Sequence, residues 1–123
     1  MRQKRILQDG AAYHVILKVD HDAMGLSVVE VKTEFMAFIQ KAHEKFTFEL
    51  INFRILNNHF HFLIKPGNGE SLSQIIQWIK CNFARHWNNL HNTKGHFWGE
   101  RFFSQIITNT KDFWNTFRYI DDS

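Results

Sequence analysis

Two hydrophobic periods alternate along the chain. Residues 12–19, AYHVILKV, are β-branched and apolar and read as a strand. Ser27 followed by Glu30 has the spacing of a capping box, and Val28, Val31, Phe35, Phe38, Ile39, Ala42 and Phe46 then recur at helical spacing. Residues 48–57 and 59–66 return to strand character, closed by Pro66-Gly67. A second capping box, Ser71 and Gln74, opens a helix whose apolar stripe is Leu72, Ile75, Ile76, Ile79, Phe83 and Leu90. The next strand falls within 101–108. Asn109 is the expected N-cap of a last helix that turns Phe113, Phe117 and Ile120 inward. The order β-α-β-β-α-β plus a helix is that of an α+β, ferredoxin-like split βαβ fold. Such a fold has an antiparallel sheet of about four strands, with helices on one face and the other face free.

Within the 59–66 strand, His59, His61 and Leu63 share one face while Phe60, Phe62 and Ile64 share the other. The Phe-Phe-Ile face is the natural layer under the helices. That sends both imidazoles, on a central strand, to the free face, where the C-terminal helix can cover them. Their backbones are roughly 6.5–7 Å apart, near enough for both rings to meet on one metal ion. Eight His among 123 residues make one H-x-H pair unsurprising. The spacing alone therefore leaves metal binding and coincidence both open. A core role would need buried hydrogen-bond partners, and the neighbouring sequence offers few. Tyr119 lies off the Phe113–Phe117–Ile120 stripe, on a face with Asn115 and Asp112. Its ring is free either to sit at a helix edge or to act chemically.

Composition narrows the classes. A chain of 123 residues with 44% hydrophobic side chains and thirteen Phe reads as a single domain, 1–123, with a substantial core, and excludes disorder. A net charge of +3 leans towards an anionic partner. Arg101 beside Phe102 and Trp98, and the cluster Arg2, Lys4 and Arg5, are the foremost candidates for phosphate contact, followed by Lys65, Lys80 and Arg85. The single cysteine, Cys81, excludes an internal disulfide framework and a Cys-rich zinc site, and reads as a buried thiol. The basic N-terminal stretch has no apolar run behind it, and no segment approaches a membrane span. The expectation is a soluble, cytoplasmic protein with no membrane partner.

AYHVILKV, ILNNHFHFLIKP, FARHWNNLHNTKGHFWGERFFSQII and FRYIDDS together resemble the IS200-like single-tyrosine transposases of the HUH class, in order and over nearly the whole chain. The likeness is greatest to the branch associated with repetitive extragenic palindromes (REP). His59-Phe60-His61 matches the family's His-hydrophobic-His pair and Asn58 the Asn before it. Gly95, Trp98, Arg101 and Phe102 match its G-x-x-W…R-F stretch, and Tyr119-Ile120 the context of its nucleophile. The resemblance implies a metal-dependent endonuclease and strand-transferase acting on single-stranded DNA that carries a hairpin. His59 and His61 would hold Mg2+ or Mn2+, and Tyr119 would attack the phosphodiester, leaving a 5′-phosphotyrosine linkage and a free 3′-OH. The family's third ligand is a Gln or Asn four residues after the Tyr. Here that position is Ser123, a weaker oxygen ligand at the last residue, with Glu100, Asp112 and Asp121 as acidic substitutes. Relatives continue past this helix, so the chain reads as naturally short, degenerate or a fragment. That departure keeps two other readings in view: a catalytically inactive ferredoxin-like nucleic-acid-binding module, and a metal-binding regulator. Monomer and homodimer are both compatible with the resemblance.

Overall fold

The computed structural model describes residues 11–19, 28–56, 59–91, 97–99 and 103–122. The elements among them are β1 (Ala12–Lys18), α1 (Val28–Lys45), β2 (Phe48–Ile55), β3 (His59–Pro66), α2 (Leu72–His91), β4 (Phe103–Ile107) and α3 (Thr110–Asp122). The strands form a four-stranded antiparallel sheet in the order β2-β3-β1-β4. This is the split βαβ topology that the alternating periods predict, with β3 and β1 central.

Strand alternation sorts the side chains into two layers. Tyr13, Val15 and Leu17 of β1 and Phe60, Phe62 and Ile64 of β3 bury against Val31, Phe35, Phe38 and Ala42 of α1 and Leu72, Ile75, Ile76, Ile79 and Phe83 of α2. Phe35 stacks on Phe62 at 5.4 Å between centroids and meets Phe60 and Phe83 edge-on. Trp98 belongs to this core as well: Val19 bridges to it, and its indole N–H donates to the Lys80 carbonyl at 2.7 Å.

Two expectations along α2 need correcting. The apolar stripe continues through Trp87, which packs 5.7 Å from Phe97, whereas Leu90 in the last turn is exposed. Cys81 is exposed too, because it falls with Gln77 and Arg85 on the four-residue line that faces solvent.

Local chemistry closes the elements as their sequences require. The Ser71 hydroxyl accepts from Gln74 N–H (3.3 Å) and Asn109 Oδ1 from Asp112 N–H (2.8 Å), so both are helix N-caps. Ser27 lies outside the described residues. After β3, Gly67 N–H donates to the Thr47 carbonyl at 2.8 Å. A Cβ at Gly67 would lie 2.7 Å from the Thr47 methyl, so a residue without one is needed there.

One irregularity in the sheet decides which side chains of β2 face α3. The β2–β3 register slips between Leu50, which pairs with Ile64, and Asn52, which pairs with Leu63, leaving Ile51 as an extra residue. An unbroken ladder would have put Asn52 opposite Phe62, on the helix-covered face. The bulge instead turns Asn52 and Arg54 to the other face, opposite Leu63 and His61. There α3 packs across β2 and β3. Leu63 and Ile120, both 0% exposed yet outside the main cluster, form the apolar seat of that helix.

Candidate active site

The face under α3 can be read as rows of side chains across the strands. Arg54, His61, Ile16 and Phe103 lie side by side, then Asn52, Leu63, His14 and Gln105, while His59 pairs with Lys18. The central strands β3 and β1 thus bring His59, His61 and His14 together on rigid backbone.

Tyr119 completes the group from above. Its ring centroid is 5.5 Å from that of His61 and 5.9 Å from that of His14, edge-on to both. His59 and His61 are 4.7 Å apart between centroids, tilted by 66°, and His14 lies edge to edge with His61, 5.4 Å between centroids and 21° from coplanar. His14 Nε2 and His61 Nδ1 lie 3.1 Å apart, a hydrogen bond between two ring nitrogens. His61 is 2% exposed. Desolvation first, then the neighbouring His59 and His14 rings, push its pKa from 6.5 down to about 4. Burial lowers that of His14 as well. At pH 7 both rings are therefore neutral and keep a lone pair.

The position of Tyr119 is set by how α3 is tied down. Asn52 Nδ2 donates to the Phe117 carbonyl (3.2 Å) and to Asp121 Oδ1 (3.3 Å), and Arg54 Nη1 donates to the Asp121 carbonyl (2.8 Å). The last turn of α3 has no basic residue of its own. Arg54 therefore supplies from the sheet the cation and the donor that a helix C-terminus lacks. With Ile120 buried beneath, the residue before it, Tyr119, is left 58% exposed at the rim of the imidazole cluster.

The family model described as "Transposase IS200 like" matches residues 8–123. The chain belongs to the IS200-like transposase family. Among solved structures, a REP-associated tyrosine transposase bound to a REP hairpin superposes with a TM-score of 0.76 at 20% identity, over 98% of this chain and 70% of that one. A putative transposase from Deinococcus radiodurans R1 gives 0.63 at 14% identity, over 99% and 97%. At these identities the structures support the fold, an antiparallel four-stranded sheet with three helices; the family model carries the transposase assignment. No curated protein matches the chain.

For an IS200-like transposase the placement of the expected residues is informative. His59, His61 and Tyr119 converge. Asp121 is engaged by Asn52, and Asp112 pairs with Asn109 at the far end of α3. Lys65 projects from β3 on the same sheet face as the His pair. Lys80, its amine pKa lowered by burial, and Arg85 both sit on α2, on the opposite side of the sheet. Arg2, Lys4, Arg5, Asn58, Gly95, Glu100, Arg101, Phe102 and Ser123 lie outside the described residues. His14, Asn52 and Arg54 are the functional candidates that sequence reasoning missed. Among the described residues no helix is long and apolar enough to cross a membrane.

The donor set fits a divalent cation in part. Among the described residues no group of three or more His, Cys, Asp or Glu side chains is arranged to hold a metal. The pair that could contribute to such a site is His59 and His61, 4.7 Å apart between centroids. Imidazole nitrogens are softer donors than Mg2+ or Mn2+ prefer, so the pair alone would hold either ion weakly, and a two-nitrogen site leaves positions for the phosphate and water oxygens that these ions favour.

Proposed function

We propose that the protein is a metal-dependent, single-strand DNA endonuclease and strand-transferase that uses Tyr119 as its nucleophile at a hairpin-flanked site. The observation that carries this reading is Tyr119, exposed and edge-on to the neutral His61 ring at 5.5 Å, on a helix seated over the open sheet face. His59 and His61 would hold Mg2+ or Mn2+, which when bound supplies positive charge to a non-bridging phosphate oxygen and steadies the phosphorane-like transition state. The chain's residues do the rest. The sheet face receives the unpaired strand, with Lys18 and Lys65 as open-face cations for its phosphates and Phe103 as an exposed ring for a base. The Tyr119 hydroxyl attacks phosphorus and gives its proton to water. The P–O3′ bond breaks, the 3′ oxygen leaves as a hydroxyl after taking a proton, and the 5′ phosphate is esterified to the tyrosine. The phosphodiester energy is retained in that ester, so rejoining to another 3′-OH needs no nucleotide cofactor.

The test is a labelled single strand carrying an imperfect hairpin, incubated with Mn2+ and either the wild type or Tyr119→Phe. The expected outcome is a covalent protein–DNA adduct with the wild type alone, and only with metal. Hairpin binding without any adduct would instead favour an inactive nucleic-acid-binding module. Absence of both would end the DNA reading.

A further inference from the structure

His14 is a half-buried imidazole that the proposed chemistry does not use, yet it sits against one that it does. A neutral imidazole has one ring proton and one lone pair. When Nδ1 accepts a hydrogen bond, the proton is on Nε2 and that nitrogen has nothing to offer a cation. When Nδ1 donates, Nε2 is free. His61 Nδ1 faces His14 Nε2 at 3.1 Å, and two neutral rings can make that bond in only two ways. Only the one in which His61 Nδ1–H donates to His14 Nε2 leaves a lone pair on His61 Nε2.

The contact is built by the backbone. His14 pairs with Leu63, and Ile16 with His61, so the two imidazoles are diagonal neighbours on adjacent central strands. Their rings meet edge to edge, only 21° from coplanar, as an in-plane N–H···N bond needs. Metal-bound histidines are commonly oriented by a hydrogen bond at the other ring nitrogen, from a carboxylate, a carbonyl or water. Here the described partner is a second imidazole.

We propose that His14 is a positioning residue: it accepts a hydrogen bond from His61 Nδ1–H, fixes His61 in the Nδ1–H tautomer, and so makes Nε2 available to a divalent cation. This rests on the reading of His59 and His61 as a metal pair. It adds that the site needs β1 as well as β3.

Two measurements on the whole chain test it. In the metal-free, 15N-labelled wild type, two-bond nitrogen–proton correlations of the histidine rings should place the proton of both His61 and His14 on Nδ1. A His61 proton on Nε2 overturns the proposal, whatever the variants do. Calorimetric titration with Mn2+ should then give at least about tenfold weaker binding to His14→Phe, which keeps a ring but no acceptor. His14→Gln, whose amide oxygen accepts, should recover most of the loss. Equal Mn2+ affinity in the wild type and His14→Phe overturns the role of His14 and leaves the metal pair standing. A wild type that binds no Mn2+ removes both.

Discussion

His61 and Tyr119 meet edge to face at 5.5 Å, although the first is 2% exposed and the second 58%. The difference separates what each does for the fold. His61 is part of the packed layer between sheet and α3, whereas Tyr119 stands at the rim. Tyr119→Phe keeps the ring contacts with His14 and His61, so urea unfolding should stay within about 1.5 kcal/mol of the wild type, no more than the loss of one hydroxyl hydrogen bond. A larger loss would mean that the hydroxyl is structural, and that the missing adduct in the cleavage assay has a trivial cause.

Acid should destabilise the metal-free protein through His61. Its folded-state pKa of about 4 lies below the ordinary 6.5, so the unfolded chain takes up the proton first. Stability is full above pH 6.5, falls as the pH drops, and this contribution levels off near pH 4. The whole effect is worth about 3 kcal/mol at ~1.4 kcal/mol per pH unit. His14, lowered in the same direction by burial, adds to it. Urea midpoints measured across this range should slope steeply for the wild type and less for His61→Leu. Equal slopes would show that His61 titrates as an ordinary surface histidine.

Arg54 should control the tyrosine helix without controlling the fold. Its guanidinium reaches the Asp121 carbonyl at 2.8 Å, in the last turn of α3. Removing one charged hydrogen bond and a favourable dipole contact costs on the order of 1–2 kcal/mol locally. In Arg54→Ala, amide exchange should quicken about tenfold along the end of α3 and stay unchanged in β3. Covalent cleavage should slow with it, because Tyr119 spends less time over the imidazoles. Unchanged α3 protection would show that Asn52 and Ile120 hold the helix by themselves.

These effects mark where the sequence was readable. The alternation Phe60, Phe62 and Ile64 against His59, His61 and Leu63 contains its own answer, because β3 is central and period two fixes the faces. Ser71 and Asn109 announce their helices through side-chain chemistry that acts three residues away. Tyr119 stood out because it lies off the stripe of its own helix, but that left its role open, and the nucleophile reading came only from the resemblance of FRYIDDS to the family. His14 did not stand out: in AYHVILKV it is one polar position in an apolar strand, and its partner is reached only through the β1–β3 register. Asn52 and Arg54 were hidden by the bulge at Ile51. Plain alternation from Leu50 puts both on the covered face, and only the slipped pairing turns them towards α3. Contacts that depend on long-range pairing leave no local periodicity to read.

Phe103 offers the sharpest test of where the proposed single-stranded substrate would lie. It pairs with Ile16 on β4, in the row that runs through His61 to Arg54, and is 56% exposed at the sheet edge. A large apolar ring held at such an edge gains nothing for the core. A strand threaded past Tyr119 along this row would bring an unpaired base over the ring, where stacking is worth about 1–3 kcal/mol. Phe103→Ala should weaken binding of the hairpin strand with a single-stranded flank by about tenfold, roughly 1.4 kcal/mol. It should leave binding of a blunt hairpin and Mn2+ affinity unchanged, and Phe103→Trp should bind at least as well as the wild type. Equal losses on the flanked and blunt substrates would place Phe103 against the stem, and no loss on either would move the strand off this edge of the sheet altogether.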